Sequence, residues 1–215
     1  MAICLCTGGN DQGGNPRDVA SVMHSNFSWA ADSKSLYFIS SGHGKYAVNQ
    51  LQLADESWTE IFSSYDYTLK SLATSPDGRT LAFSSWGSSR GKDSIFLLDL
   101  HTKEVKEVVF EGNRGKIEEI TNIFWSPNGW QMVFQSGKSE DGQIYIVNRD
   151  GSGLKKISER DGFSPSWCPD GEWITFATST KPEQVMAVSA DGSKEIASQI
   201  IEPIYHSLVC GLPRE

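Results

Sequence analysis

Four stretches of this chain rewrite one pattern: WAADSKSLYF (Trp29 to Phe38), SPDGRTLAF (Ser75 to Phe83), WSPNGWQMVF (Trp125 to Phe134) and WCPDGEWITF (Trp167 to Phe176). Aligned on their turn residues, Asp32, Asp77, Asn128 and Asp170, the copies are spaced by 45, 51 and 42 residues. A period of that size points to a solenoid, array or propeller, because one unit cannot bury its apolar face alone. The register inside the copies does not drift. Leu36, Leu81, Met132 and Ile174 stand four positions past the turn residue, and Phe38, Phe83, Phe134 and Phe176 two further on. Ser40, Ser85, Ser136 and Thr178 follow two beyond that. Period two marks a strand with one face committed to a core.

Ahead of the turn, Trp29, Trp125 and Trp167 share one position, which Thr74 fills in the second copy. Pro76, Pro127 and Pro169 share another, filled by Ala31 in the first. Proline fixes φ, and the dipeptides Asp77-Gly78, Asn128-Gly129 and Asp170-Gly171 favour a tight turn with positive φ. Each copy therefore reads as a hairpin. A second hairpin follows, carried by IFLLDL, IYIVN and VMAVS, with turns at Asp150-Gly151 and Asp191-Gly192 in the last two copies. Four strands per period is one propeller blade.

The expected fold is all-β: a single propeller domain over 1–215, with four-stranded antiparallel blades near 27–62, 68–110, 120–158 and 164–200. Strands near 3–22 and 204–211 would add a composite or partial blade. Two arrangements of these ends fit. Either the two termini combine into one closing blade, which removes two open sheet edges, or the chain is part of a six- to eight-bladed ring. In the second case, exposed edges invite self-association.

The motif W-S-P-D-G-x-x-[IL]-x-F followed by I-Y-x-[MV]-[DN]-x-D-G-S resembles the β-propeller repeat of TolB, the periplasmic propeller subunit of the Tol–Pal envelope system. Here it stands as WSPNGWQMVF with IYIVNRDGSG, and as WCPDGEWITF with VMAVSADGSK. The resemblance covers roughly residues 27–200. The same repeat occurs in the gating propellers of prolyl oligopeptidase relatives and in oligogalacturonate lyases. What it carries over is structural: Trp29, Asp32, Phe38, Pro76, Asp77, Gly78, Phe83, Trp125, Pro127, Asn128, Gly129, Phe134, Trp167, Pro169, Asp170, Gly171 and Phe176 build blades. Function is settled elsewhere.

Composition narrows the partners. A net charge of −8 and a pI near 5.0 disfavour nucleic acid and anionic membrane surfaces, which need clustered Lys and Arg. No stretch approaches the roughly 18 apolar residues of a membrane helix. The start, MAICLCTGG, lacks a basic segment and a signal-peptide core. As written, the chain reads as soluble and cytoplasmic; as part of a longer chain, it reads as periplasmic or secreted. Cys4, Cys6, Cys168 and Cys210 form no C-x-x-C pair and read as ordinary buried cysteines.

Catalytic signatures are missing from the sequence. G-x-S-x-G, H-E-x-x-H, the P-loop and the dinucleotide fingerprint do not occur. No cofactor or metal is expected. His43 and His101 read as solvated loop residues, whereas His24 and His206 fall near inner strands and approach a channel mouth. Candidate contact residues are the loop aromatics and their neighbours: Trp86 with Arg90 in a long loop, Trp130 and Trp173 at turns, and Tyr65 and Tyr67 between blades. The favoured expectation is a non-catalytic scaffold that binds a protein or peptide through loops and channel mouth. The alternative is a propeller enzyme or accessory domain, with an oligogalacturonate-lyase-like metal site or as the gate of a prolyl-oligopeptidase-like peptidase.

Overall fold

The computed structural model describes residues 2–5, 17–21, 27–86, 93–111, 117–138, 141–178 and 184–197. Strands β1 (Ala2–Leu5) and β2 (Arg17–Ser21) form an antiparallel pair. The first blade follows: β3 (Phe27–Trp29), β4 (Ser35–Gly42), β5 (Lys45–Gln52) and β6 (Trp58–Ser64). The second is β7 (Thr68–Thr74), β8 (Thr80–Trp86), β9 (Ser94–Asp99) and β10 (Val105–Val108). The third is β11 (Ile120–Trp125), β12 (Gln131–Ser136), β13 (Gln143–Asn148) and β14 (Lys155–Lys156). The fourth is β15 (Gly162–Trp167), β16 (Trp173–Thr178), β17 (Val185–Ser189) and β18 (Glu195–Ala197). Each blade is a sheet in sequence order with antiparallel neighbours, as the repeat predicts, and the described residues contain no helix.

The turn chemistry is local. Gly78, Gly129 and Gly171 take φ of 68°, 70° and 72°, and in the first copy Ser33 takes 56° at the same place. Asp77 accepts bonds from the Ser75 hydroxyl and the Arg79 amide, and these donors, the hydroxyl first, hold its carboxyl below the ordinary value. Successive turns nest: a Cβ on Gly78 would stand 3.0 Å from that of Ala31, and Gly129 and Gly171 lie against Pro76 and Pro127.

Blades stack through the faces that the period assigned. Phe83, Phe134 and Phe176 are buried and each points at the preceding blade. Phe134 stacks on Phe110 of the second blade at 5.8 Å and on its own Tyr145 at 5.7 Å. Trp125 donates from Nε1 to the Ala73 carbonyl across the same joint at 3.0 Å, while the Arg149 guanidinium lies 5.5 Å from its ring and donates to Thr80 Oγ1 at 2.6 Å. Inner strands β3, β7, β11 and β15 run side by side, with β3 and β7 tied by Ser28 and Thr74.

One expectation fails here. Cys168 is not an ordinary buried thiol; it is buried and disulfide-bonded.

Candidate functional site

Strand direction divides the molecule into two rims. The turns at Asp77, Asn128 and Asp170 lie on the lower rim. The starts of the inner strands lie on the upper rim, where Thr68 pairs with Trp86, Ile120 with Ser136 and Gly162 with Thr178. The contact residues expected from sequence do not form one patch. Tyr65, Tyr67 and Trp86 belong to the upper rim, Trp130 and Trp173 to the lower. His24, Arg90 and His206 lie outside the described residues.

Their exposures differ as well. Tyr65 is 73% exposed, Trp86 57% and Trp130 53%. Trp86 closes strand β8 rather than standing in a loop. Trp173 opens β16 and is half-buried. Tyr67 is partly buried, and its ring packs edge-on to Phe96 at 4.9 Å and to Phe83 at 5.8 Å.

Beneath Trp86 lies a polar cluster that sequence reading missed. Asp93 is buried, and its carboxylate accepts from Lys70 Nζ and from the Ile120 amide, each at 2.8 Å. Lys70 also lies 3.5 Å from Glu119 and 5.6 Å from the centre of the Trp86 ring. At the next joint the same task falls to main chain: the Gly162 amide donates to the Gly142 carbonyl at 2.7 Å. Asp93 therefore replaces a carbonyl with a charge, and Lys70 balances it.

The inner strands also carry bulges at equivalent places. Register shifts between Leu69 and Ser71, Thr121 and Phe124, and Phe163 and Ser166. Asn122 and Ser164 take φ of 51° and 52° there, a conformation that costs non-glycine residues on the order of 1 kcal/mol. The Asn122 amide is held by Gln135 at 2.9 Å. A bulge re-aims the side chains beyond it.

Below the bulges the inner strands enclose an open groove of about 470 Å³, lined by Phe27, Trp29, Leu72, Pro76, Phe124 and Trp125 among others. Phe27 is 49% exposed, Trp29 48% and Phe124 44%. Phe124 was legible in principle, since strand alternation turns it away from the face that buries Trp125. Among the described residues no three His, Cys, Asp or Glu side chains group to hold a metal ion. No helix among them is long and apolar enough to cross a membrane.

Antiparallel four-stranded blades stacked through their inner strands define a β-propeller. The TolB beta propeller domain model matches residues 11–202, and the chain belongs to that family. TolB from Acinetobacter baumannii superimposes with a TM-score of 0.68 at 19% identity, over 87% of this chain and 46% of that one. Oligogalacturonate lyase from Vibrio parahaemolyticus gives 0.65 at 11% identity, over 89% of this chain and 57% of that one. Dipeptidyl-peptidase 5 from Porphyromonas endodontalis is 35% identical over 80 residues, 33% of this chain and 11% of that protein. The chain thus spans about a tenth of this curated relative and under half of that TolB.

Proposed function

We propose that the chain is a non-catalytic TolB-like propeller that binds a segment of a protein or peptide partner in the inner-strand groove and at the upper rim. The observation that carries this reading is the half-exposed set Phe27, Trp29 and Phe124 along one groove. Rings fixed on strands give large contact area at little entropic cost. Trp86, braced by Lys70, extends the aromatic surface at the upper rim. The acidic balance speaks for a partner other than nucleic acid. Membership of the TolB propeller family favours a periplasmic or secreted location over the cytoplasmic one.

Selection of displayed random peptides on the purified chain tests it. Recovery of peptides with apolar anchors, whose binding falls at least about tenfold in Phe124→Ser, is the expected result. Peptides that bind the variant equally well would move the site elsewhere.

A second reading, an accessory propeller of a peptidase or a lyase-type enzyme, draws on the 35% identity to dipeptidyl-peptidase 5 and the likeness to oligogalacturonate lyase. Stoichiometric Mn, Ca or Zn in purified protein would favour the lyase-type reading.

A further inference from the structure

Asp93 does with a charge what the next joint does with none. The Ile120 amide donates to its carboxylate at 2.8 Å, while one joint on the Gly162 amide donates to the neutral Gly142 carbonyl at 2.7 Å. The acid has to be desolvated to stand there, since its side chain is 3% exposed. Burying a charge is costlier than offering a carbonyl, and an ion pair offsets only part of the difference. An acid at this place calls for a role that a carbonyl cannot fill.

The groups around it supply one. The register shift between Leu69 and Ser71 leaves Lys70 out of the ladder with β8, and such a bulge re-aims a side chain. Lys70 Nζ stands 2.8 Å from Asp93 Oδ2, the same oxygen that receives the Ile120 amide. Glu119 Oε1 lies 3.5 Å from that nitrogen, and the Glu119 side chain is 45% exposed, in touch with water. The centre of the Trp86 ring lies 5.6 Å from Nζ. An amine, an acyl carbon and a proton carrier thus meet at one place.

We propose that Lys70 and Asp93 condense into an isopeptide bond between their side chains. One proton passes from the ammonium to the carboxylate, which leaves a neutral amine beside a neutral acid where burial penalises charge. Nζ then attacks Cγ of Asp93, and the charge that develops on Oδ2 faces the Ile120 amide. Glu119 takes a second proton from the nitrogen and passes it to Oδ1. The bond from Cγ to Oδ1 breaks, Oδ1 leaves as water, and the carbonyl at Oδ2 re-forms. One ammonium and one carboxylate disappear together, so the net charge stays at −8. In the product, Oδ2 is an amide carbonyl that accepts from Ile120, as the Gly142 carbonyl does from Gly162. The bond ties β7 to the residue ahead of β9, across β8. A single proteolytic cut between 70 and 93 would leave the two ends joined.

Intact mass measurement of the reduced, denatured full chain tests this. The chain is expected to be lighter than its sequence by one water. Trypsin should leave the bond after Lys70 uncut and release the peptide that begins at Asp93 attached to the one that holds Lys70. A chain of full sequence mass would overturn the proposal without recourse to any variant. So would a lost water that maps elsewhere, such as the Asp77-Gly78 turn, with Lys70 cut as usual. Lys70→Arg keeps the positive charge and should restore the full mass; a water still lost from the same peptides would overturn the assignment. Glu119→Gln should slow bond formation at least about tenfold, read as the joined fraction at successive times after a short pulse of expression. Joining at the parent's rate would overturn the proton path through Glu119.

Discussion

The joint between the second and third blades and the outward face of the first use the same repeat positions, yet meet different surroundings. At the joint, Ile123, Trp125, Met132, Phe134, Tyr145 and Val147 are all buried. On the outward face their counterparts are Phe27, Trp29, Leu36, Phe38, Asn49 and Leu51, of which the last four are buried and the first two stand half-exposed. The repeat fixes which way a side chain points, and the neighbour decides whether water reaches it. Trp125 has the Ala73 carbonyl and the Arg149 guanidinium against it, whereas Trp29, in the same groove, stands half-exposed.

The largest break in that comparison is expected at Phe134. Phe134→Ala empties a fully buried site between two stacked rings and should cost about 3–5 kcal/mol in urea unfolding. Phe38→Ala should cost less, since the margin beside it is open and can relax. Equal losses would mean that the outward face is packed as tightly as the joint.

Next comes Asp93→Ala, which leaves the Ile120 amide unpaired and Lys70 without its nearest counter-ion. A loss of about 2–3 kcal/mol is expected, below the figure for a fully buried pair because Lys70 is partly solvated. An unchanged urea midpoint would show that water replaces the carboxylate.

The two tryptophans give a smaller, sharper contrast. Trp125→Phe removes the bond to Ala73 and should cost about 1–2 kcal/mol, whereas Trp29→Phe should stay within about 0.5 kcal/mol. Similar values for both would place Trp29 inside a closed joint.

The smallest effect is spread over the turns. The Thr102 and His101 amides hold Asp99 below its ordinary 3.8, and the Ser152 hydroxyl and amide do the same for Asp150. A carboxyl held low in the folded state favours folding above its unfolded value, and that contribution is lost as pH falls through the folded value. The urea midpoint should therefore drop as pH falls through and below the ordinary carboxylate range. Combining Asp99→Asn with Asp150→Asn should flatten that drop, and a variant that follows the parent curve would show that these turns are not its source.

Much of the fold was legible because the blade is written in local terms. Period two, a Pro-Asp-Gly turn and a fixed Phe identify strand, turn and core without reference to anything distant. The candidate site was legible only in pieces. Tyr67 looked like a loop aromatic, but its ring fills a gap among Phe62, Phe83 and Phe96, contributed by two blades. Asp93 carried no signal in the sequence, since its partners come from β7 and from the start of β11. Phe124 was passed over beside the repeat's tryptophan. The misses at Tyr67 and Asp93 concern what stands across a joint, about which a period along the chain carries no information, whereas strand alternation already pointed Phe124 outward.

The nested turns have a historical consequence. Gly78 fits against Ala31, Gly129 against Pro76 and Gly171 against Pro127, so each unit carries a plug for one neighbour and a socket for the other. A gene duplication that copies a whole unit delivers both halves of the fitting and lengthens the series at no cost in fit. One that copies half a unit delivers a plug without its socket. Growth in such a lineage is quantised, and its members should differ from one another by whole blades.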